Sequence, residues 1–172
     1  MQSPLDNPIF ELIGKTADEM NINAWVVGGF VRDSILKREN KDIDIVVVGN
    51  GVEFAQAVAR KLDNDCSLSV FKNFGTAQIK FDDWIIEFIG ARKESYRRDS
   101  RKPMVENGTL EDDQNRRDFT INAMYLSLNV AGYGELYDPF NGVQDLQNGI
   151  IKTCNNPDVT FDDDPLRMLR AI

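Results

Sequence analysis

Two acidic residues, Asp42 and Asp44, stand two positions apart in a segment that is otherwise apolar from Ile43 to Val48. Alternate side chains of a β-strand share a face, so both carboxylates point the same way, about 7 Å apart along the backbone. Paired carboxylates hold hard cations such as Mg²⁺, which keep waters for phosphate oxygens. Metal ions about 3.5–4 Å apart suit in-line phosphoryl or nucleotidyl transfer. The other interpretation of so short a pattern is a solvated strand face.

A pair of glycines, Gly28 and Gly29, lies between an apolar strand and a helical pattern that contains Arg32 and Asp33. Glycine lets the backbone approach an anion, and a helix N-terminus offers free N–H groups. The segment therefore predicts a triphosphate cradle beside the carboxylate pair, although the GxxxxGK[ST] pattern of the P-loop is absent. The alternative is a tight turn followed by helix-surface charges.

A third acidic residue, Glu87, falls inside the apolar segment Trp84–Ile89. An unpaired buried carboxylate is costly, so Glu87 needs a cation, a metal ion or a hydrogen-bond donor. It would complete a metal triad with Asp42 and Asp44. The alternative is an edge-strand glutamate paired with a nearby base.

The amino-acid composition excludes several kinds of catalytic site. The 172 residues include no histidine, which excludes serine–histidine triads, histidine bases and most zinc sites. Cys66 and Cys154 are far apart and are interpreted as reduced structural thiols. No segment has the ~20 apolar residues of a membrane span and no signal peptide is evident, so the sequence predicts a cytoplasmic protein without a membrane partner.

The net charge of −8 argues against a domain that grips a long nucleic acid alone. Carboxylates that hold metal ions contribute to this balance, and basic residues cluster at Arg92–Lys102 and Arg116–Arg117.

Hydrophobic periodicity predicts helices and strands around these residues. The predicted helices cover 8–21, 30–38 and 52–62, and the predicted strands are Ala24–Val27, Asp42–Val48, Ser67–Phe71, Thr76–Phe81 and Trp84–Ile89.

Beyond the last of these strands, the polar stretch 91–115 is interpreted as a long functional loop. Phe119–Leu128 is predicted to begin as a helix, and a short helix is predicted to follow the turn 137–142. A last helix starts at Asp164-Pro165, where the aspartate caps it and proline takes the first helical position. It still continues at Ile172, which predicts a piece of a longer protein.

Five segments in order carry a family resemblance. The glycine pair followed by Asp42–Val47 resembles the signature of the polymerase-β-like nucleotidyltransferase superfamily. Segments 87–96, 116–124, 138–146 and 163–171 resemble the motifs of class II tRNA nucleotidyltransferases and bacterial poly(A) polymerases. The similarity covers nearly all of the chain from residue 22, and the run RRDFTINAM at 116–124 is close to diagnostic.

The resemblance implies an α/β (α+β) nucleotidyltransferase fold, with a mixed curved sheet and helices mainly on one face. Residues 1–150 would be the catalytic head and 151–172 the start of a truncated neck. The implied activity is template-independent addition of CMP and AMP from CTP and ATP to the tRNA 3′ end, with two Mg²⁺ (or Mn²⁺) ions and release of pyrophosphate.

Other functions remain possible alternatives. Two similar activities are that of a poly(A) polymerase and that of an enzyme that adds only CC or only A. An alternative of a different class is an inactive nucleotide- or RNA-binding fragment. Because the tRNA 3′ end would be held mainly by missing C-terminal domains, the fragment alone is expected to extend tRNA poorly. No protein partner is indicated.

The resemblance also gives each matching residue a role. Asp42 and Asp44 match the catalytic metal ligands and Glu87 a third carboxylate, while Arg92 begins a loop that takes part in switching between nucleotides. The residues implied to bind nucleotide are Gly28, Gly29 and Arg32 at the triphosphate, Arg116, Arg117, Asp118 and Asn122 at sugar and phosphate, and Asp163, Asp164 and Arg167 at the base.

The base-reading role has a chemical rationale. Cytosine and adenine present an amino donor beside a ring-nitrogen acceptor, and uracil and guanine present the reverse order. A fixed carboxylate and a fixed arginine therefore select C and A. On one helix, Asp163 and Asp164 would share a face with Arg167. Family members often have Glu at the first position, so the contact of Asp163 is open; the alternative role of Asp164 is a helix cap that pairs with Arg167.

Overall fold

The computed structural model describes residues 4–62, 66–97 and 100–172, with the side chains of 94–97 and 100–105 left out of the description. Six α-helices occur in these ranges. They are α1 (Pro8–Glu19), α2 (Gly29–Ile35), α3 (Gly51–Lys61), α4 (Leu110–Asn115), α5 (Gly142–Gln147) and α6 (Pro157–Asp163). Asn7 and Asn50 cap α1 and α3, each by accepting a backbone N–H of the first turn.

Seven strands form one mixed sheet. They are β1 (Ala24–Val27), β2 (Asp42–Val47), β3 (Cys66–Phe71), β4 (Thr76–Phe81), β5 (Trp84–Gly90), β8 (Tyr125–Ser127) and β9 (Leu136–Tyr137). Their order across the sheet is β3-β4-β5-β2-β1-β8-β9. β2 and β5 are parallel, and the other neighbours are antiparallel. The mixed sheet predicted from the sequence is confirmed.

The two faces of β2 have opposite characters. Ile43, Ile45 and Val47 are buried in the main core with residues of α1, α2 and α3. Asp42 and Asp44 alternate with them and therefore lie on the other face of the sheet. On that second face a smaller cluster, which includes Val46 and Tyr125, packs against Leu110 of α4.

The predicted long loop at 91–115 is wrong. Its backbone forms the hairpin β6 (Arg92–Arg97) and β7 (Ser100–Asn107), a separate two-stranded sheet, followed by α4. Thr109 and Asp112 cap α4 reciprocally in a capping box. Periodicity detects elements that bury one apolar face, and a charged hairpin and a six-residue helix give no such signal.

The helix predicted at the start of 119–128 is only one turn long. Thr120–Asn122 forms a 3₁₀ helix, and the chain then extends into β8 against β1. Short apolar runs buried on both sides do not distinguish helix from strand by periodicity. The cap at Asp164 is confirmed: its Oδ1 accepts the N–H of Leu166 at the start of the 3₁₀ helix Pro165–Ala171.

Among the helices of the described ranges, none has both the length and the apolar character needed to cross a membrane.

Helix α1 lies very close to the end of β8 at Gly14. A Cβ added there would lie 2.0 Å from the carbonyl oxygen of Leu128. We therefore expect Gly14→Ala to lower the free energy of unfolding by about 1–3 kcal/mol, as overpacking does in closely packed cores. Urea denaturation followed by circular dichroism measures this. The exposed neighbour variant Lys15→Ala is the control, and an unchanged midpoint for Gly14→Ala would contradict the close packing.

Candidate nucleotidyl-transfer site

The acidic residues predicted for metal binding come from the two parallel strands. Asp44 of β2 pairs in register with Glu87 of β5, so both side chains lie on the same face of the sheet as Asp42. Gln78 of β4 lies opposite Glu87 on that face. Asp42 is exposed, and Asp44 and Glu87 are partly buried.

The carboxylates are close enough to influence one another. Burial raises the pKa of Asp44, Arg117 partly offsets this shift, and Glu87 and Asp42 raise the pKa further. A bound cation would favour the ionised form of such a group. Within the described part of the chain, no three acidic, thiol or imidazole groups converge as a preformed metal cluster. The predicted triad of Asp42, Asp44 and Glu87 stays a prediction, with the three residues on one face of the sheet.

Three distant segments meet at Gly28, between β1 and α2. Its φ of 72° falls in the left-handed region that favours glycine. A Cβ placed there would lie 3.5 Å from Arg117 Nη1, 3.7 Å from Asp44 Oδ2 and 3.8 Å from the carbonyl oxygen of Asn122. The site therefore brings together residues of the glycine, carboxylate and RRDFTINAM motifs.

A hydrogen-bond chain links this point to the start of β2. Arg32 donates from Nη1 to Asn122 Oδ1 at 2.8 Å and from Nε to Asp33 Oδ1 at 2.9 Å. Asn40 donates to Asp33 Oδ2 at 2.7 Å and accepts the N–H of Asp42 at 2.9 Å. Asp33 and Asn40 were not predicted as site residues, although an asparagine two positions before a strand carboxylate is a typical backbone acceptor.

The two arginines of the RRD motif share one buried carboxylate. Asp113 Oδ1 accepts from Arg116 and Asp113 Oδ2 from Arg117, whose Nε also donates 2.8 Å to the hydroxyl of Tyr125. Burial by itself would raise the pKa of Asp113, but the two guanidinium groups hold it below its ordinary value. Burial raises the pKa of Tyr125. Asp113 and Tyr125 were missed because 91–115 was interpreted as a loop and 119–128 as a helix.

Asp118 connects the motif to the C-terminal helices. It accepts the N–H of Phe119 at 2.8 Å, the amide of Asn122 at 3.4 Å and a guanidinium N–H of Arg170 at 2.9 Å. This contact with the last 3₁₀ helix was not predicted.

The motif at 138–146 packs against the turn that carries Asn122. Asp138 caps α5 by accepting the N–H groups of Gly142 and Val143, and Asp145 accepts the hydroxyl hydrogen of Thr120 at 2.7 Å. A Cβ at Gly142 would lie 2.3 Å from the carbonyl oxygen of Thr120, so α5 packs directly on the turn that carries Asn122.

Arg116, Asp163 and Arg167 line one cavity of about 210 Å³, together with Lys93 and Asn155 among others. The prediction that Asp163, Asp164 and Arg167 share one helix is wrong. Asp163 ends α6 and Asp164 is extended, with φ −148° and ψ 98°. Pro165 causes the break, because a residue before proline is driven away from the helical region. Asp164 is not among the residues that line the cavity.

Arg92 lies elsewhere in the described structure. It lines a separate groove of about 490 Å³ with Asn50, Lys72 and Asn107, among others, at the base of the β6–β7 hairpin. The structure does not bring this residue to the carboxylates.

Comparison with known proteins places these motifs in a family. The family model described as the poly A polymerase head domain matches residues 24–152, which contain the carboxylates, the glycine pair and the RRD motif. The chain belongs to this family. The resemblance inferred from the five motifs is therefore confirmed.

Curated relatives of this head domain carry three kinds of name. An A-adding tRNA nucleotidyltransferase of Aquifex aeolicus is 43% identical over 151 residues, which cover 88% of this chain and 18% of the relative. A CCA-adding enzyme of Bacillus velezensis is 38% identical, with 87% and 36% covered. A poly(A) polymerase I of Escherichia coli O157:H7 is 35% identical, with 87% and 33% covered. The chain thus spans between 18% and 36% of the length of these relatives.

Solved structures share the fold. A CCA-adding enzyme in its apo form II superposes with a TM-score of 0.85 at 42% identity, covering 95% of this chain and 38% of that one. A tRNA nucleotidyltransferase complexed with a primer tRNA and an incoming ATP analogue superposes with a TM-score of 0.78 at 41% identity, covering 92% and 43%. The predicted polymerase-β-like fold of the head domain is confirmed.

The Asn40 bridge is expected to contribute measurably to the stability of the head domain. Asn40→Ala removes the donor to Asp33 Oδ2 and the acceptor of the Asp42 N–H, and should lower the free energy of unfolding by about 1–3 kcal/mol. Chemical denaturation measures the loss. Glu39→Ala, at a side chain that is 84% exposed, should change stability by less than about 0.5 kcal/mol. Equal stability of the two variants would contradict the bridge.

Proposed function

We propose that the chain is the nucleotidyl-transfer unit of a tRNA nucleotidyltransferase that adds CMP and AMP from CTP and ATP to the tRNA 3′ end. The observation that carries the proposal is the convergence at Gly28 of a metal-type carboxylate, a guanidinium group and the Asn122 segment, in a head domain of this family. The names of curated relatives and the solved complex with primer tRNA and an ATP analogue support the substrate class.

The donor set fits a divalent cation. Asp42 and Asp44, with Glu87 beside them, offer only carboxylate oxygens, which suits Mg²⁺ and also Mn²⁺. Burial raises the pKa of Asp44, Arg117 offsets part of this shift, and a bound metal ion would further favour the ionised carboxylate. When bound, a pair of such ions stabilises negative charge on the triphosphate and on the attacking oxygen.

The chain's own residues bind and orient the substrate. Gly28 leaves open the space that a side chain would fill, so a phosphate can approach the backbone beside Asp44. Arg32 and Arg117, held by their partners, are cations suited to the triphosphate. The RNA 3′-hydroxyl then attacks the α-phosphate in line, and the bond to pyrophosphate breaks.

No protein nucleophile takes part in the proposed reaction. The chain has no histidine, and burial raises the pKa of Cys154 to about 12, so its thiol stays protonated at neutral pH. Direct attack by the RNA hydroxyl is consistent with both facts.

Base selection is proposed for the 210 Å³ cavity. Asp163 and Arg167 line it from two different helices, so one can accept from an amino group while the other donates to a ring nitrogen. The pattern is shared by cytosine and adenine, so this cavity alone does not separate CTP from ATP.

The domain division of a head at 1–150 and the start of a neck at 151–172 is part of the proposal, supported by the family match at 24–152. Because the relatives are much longer than this chain, we propose that further domains hold most of the tRNA. We also propose the cytoplasm as the working compartment.

Addition of A alone is a second candidate, favoured by the names of relatives that are 43%, 41% and 35% identical. The deciding experiment supplies two tRNAs, one without CCA and one ending in CC, with CTP, ATP or both. Full CCA addition to the shorter tRNA supports the first candidate. Extension only of the CC-ending tRNA by ATP supports the second, and no tRNA extension by the protein that contains this chain refutes both.

Loss of either strand carboxylate should abolish transfer. We expect Asp42→Asn and Asp44→Asn each to lower the rate of labelled AMP incorporation at least about 1000-fold, because charge neutralisation in the reaction depends on them. Asp82→Asn is the matched control, since Asp82 lies in an exposed turn with φ 50°, which asparagine tolerates. Activity within tenfold of the unsubstituted protein in either site variant would refute the assignment.

The base cavity makes a separate prediction for nucleotide binding. The 172-residue chain with Mg²⁺ should bind ATP and CTP about tenfold more tightly than UTP and GTP, because uracil and guanine would present a carbonyl oxygen to the Asp163 carboxylate and an N–H to the Arg167 guanidinium. Calorimetry measures this preference. Arg167→Ala should remove it, and the control Arg60→Ala, on the exposed side of α3, should leave it unchanged. Equal affinity for all four nucleotides would show that this cavity does not read the base.

A further inference from the structure

Asp113 is the carboxylate in the described structure most removed from solvent, with a side chain that is 0% exposed. Its two oxygens are divided between two arginines. Oδ1 accepts from Arg116 Nε at 2.9 Å and from Arg116 Nη2, and Oδ2 accepts from Arg117 Nε at 3.1 Å and Arg117 Nη2 at 3.0 Å.

Tyr125 closes this arrangement. Its hydroxyl donates to Asp113 Oδ2 at 3.1 Å and accepts from Arg117 Nε at 2.8 Å, while the Arg117 guanidinium carbon lies 5.3 Å from the centre of the tyrosine ring. The Arg117 guanidinium group is thus held by hydrogen bonds to Asp113 and to the Tyr125 hydroxyl, with its carbon over the tyrosine ring.

The two arginines lead to different parts of the proposed site. Arg116 lines the 210 Å³ cavity with Asp163 and Arg167. Arg117 Nη1 lies at the cradle, where it donates to the Asn122 carbonyl oxygen at 3.5 Å and faces the open space at Gly28. One buried anion therefore fixes groups on both the base side and the phosphate side.

We propose that Asp113 is a positioning residue for nucleotide binding, which orients Arg116 and Arg117 together and acts only through them. This inference rests on the proposed function, because it assigns the two guanidinium groups to the nucleotide. A buried ion pair is by itself weak evidence for stability, since apolar packing of similar volume often stabilises as well. An apolar residue at 113 would fill the space without fixing either guanidinium fork.

The test compares the 172-residue chain with Asp113→Asn, Tyr125→Phe and Glu111→Gln. Asp113→Asn keeps the shape and removes the charge, Tyr125→Phe removes only the hydroxyl, and Glu111→Gln makes the same chemical change as Asp113→Asn at an exposed position of α4. Calorimetry with ATP or CTP and Mg²⁺ gives the affinity, and ¹⁵N spectra of the arginine Nε–H groups report the orientation of the side chains.

We expect Asp113→Asn to weaken ATP and CTP at least about tenfold and to an equal degree, and to shift two Nε–H signals toward those of exposed arginines. Tyr125→Phe should shift one of these signals and weaken both nucleotides about threefold. Glu111→Gln should match the unsubstituted chain in both measurements. A merely structural role would lower the melting temperature without changing the affinity of the folded protein.

Each outcome separates this inference from the proposed function. Unchanged affinity in folded Asp113→Asn would overturn the inference and leave the proposed function intact. If Asp113→Asn does not fold, Tyr125→Phe decides, and its unchanged affinity would overturn the inference equally. If the unsubstituted chain binds neither ATP nor CTP, the nucleotide binding in the proposed function and the inference on Asp113 are both refuted, whatever the arginine spectra show.

Discussion

The pleat of β2 is the constraint on which the rest of the structure depends. Ile43, Ile45 and Val47 must face the helices to build the core, and the strand period of two then leaves Asp42 and Asp44 together on the opposite face. A register slip of one residue would exchange the faces and bury both carboxylates in the apolar core. The strand register of β2 that builds the core therefore also places the two carboxylates proposed to bind metal.

The neighbours of β2 complete the site through their own register. Parallel pairing with β5 places Glu87 beside Asp44, and antiparallel pairing with β1 places Val27 there, so that the next residue, Gly28, enters the site as the chain leaves the sheet. The RRD segment reaches the same point because α5 packs on its turn and β8 pairs with β1. The geometry of the site thus follows from strand pairing and one close helix contact.

Sequence reasoning predicted the features in which local pattern and burial agree. The alternation in β2, the caps of the last helix and the strands 76–81 and 84–89 depend on neighbouring residues, and the structure has them. The hairpin at 92–107 has too few apolar positions for a period, and Asp113 looks in sequence like one of several acids in α4. Its two arginine partners stand three and four positions later, a helical spacing that the interpretation of 91–115 as a loop concealed. Its contact with Tyr125 joins α4 to β8, and no local pattern contains that contact.

The acidic composition has a different meaning once these contacts are considered. A net charge of −8 argues against an anionic substrate only if the carboxylates and the cations act independently. Here four arginines in and around the site are each paired with an acidic side chain. The pairs are Arg32 with Asp33, Arg116 and Arg117 with Asp113, and Arg170 with Asp118. A guanidinium group fixed in this way loses less side-chain entropy when it meets a phosphate than a mobile one does. Acidic residues can therefore favour an anionic ligand by orienting the cations that bind it, which net charge does not reveal.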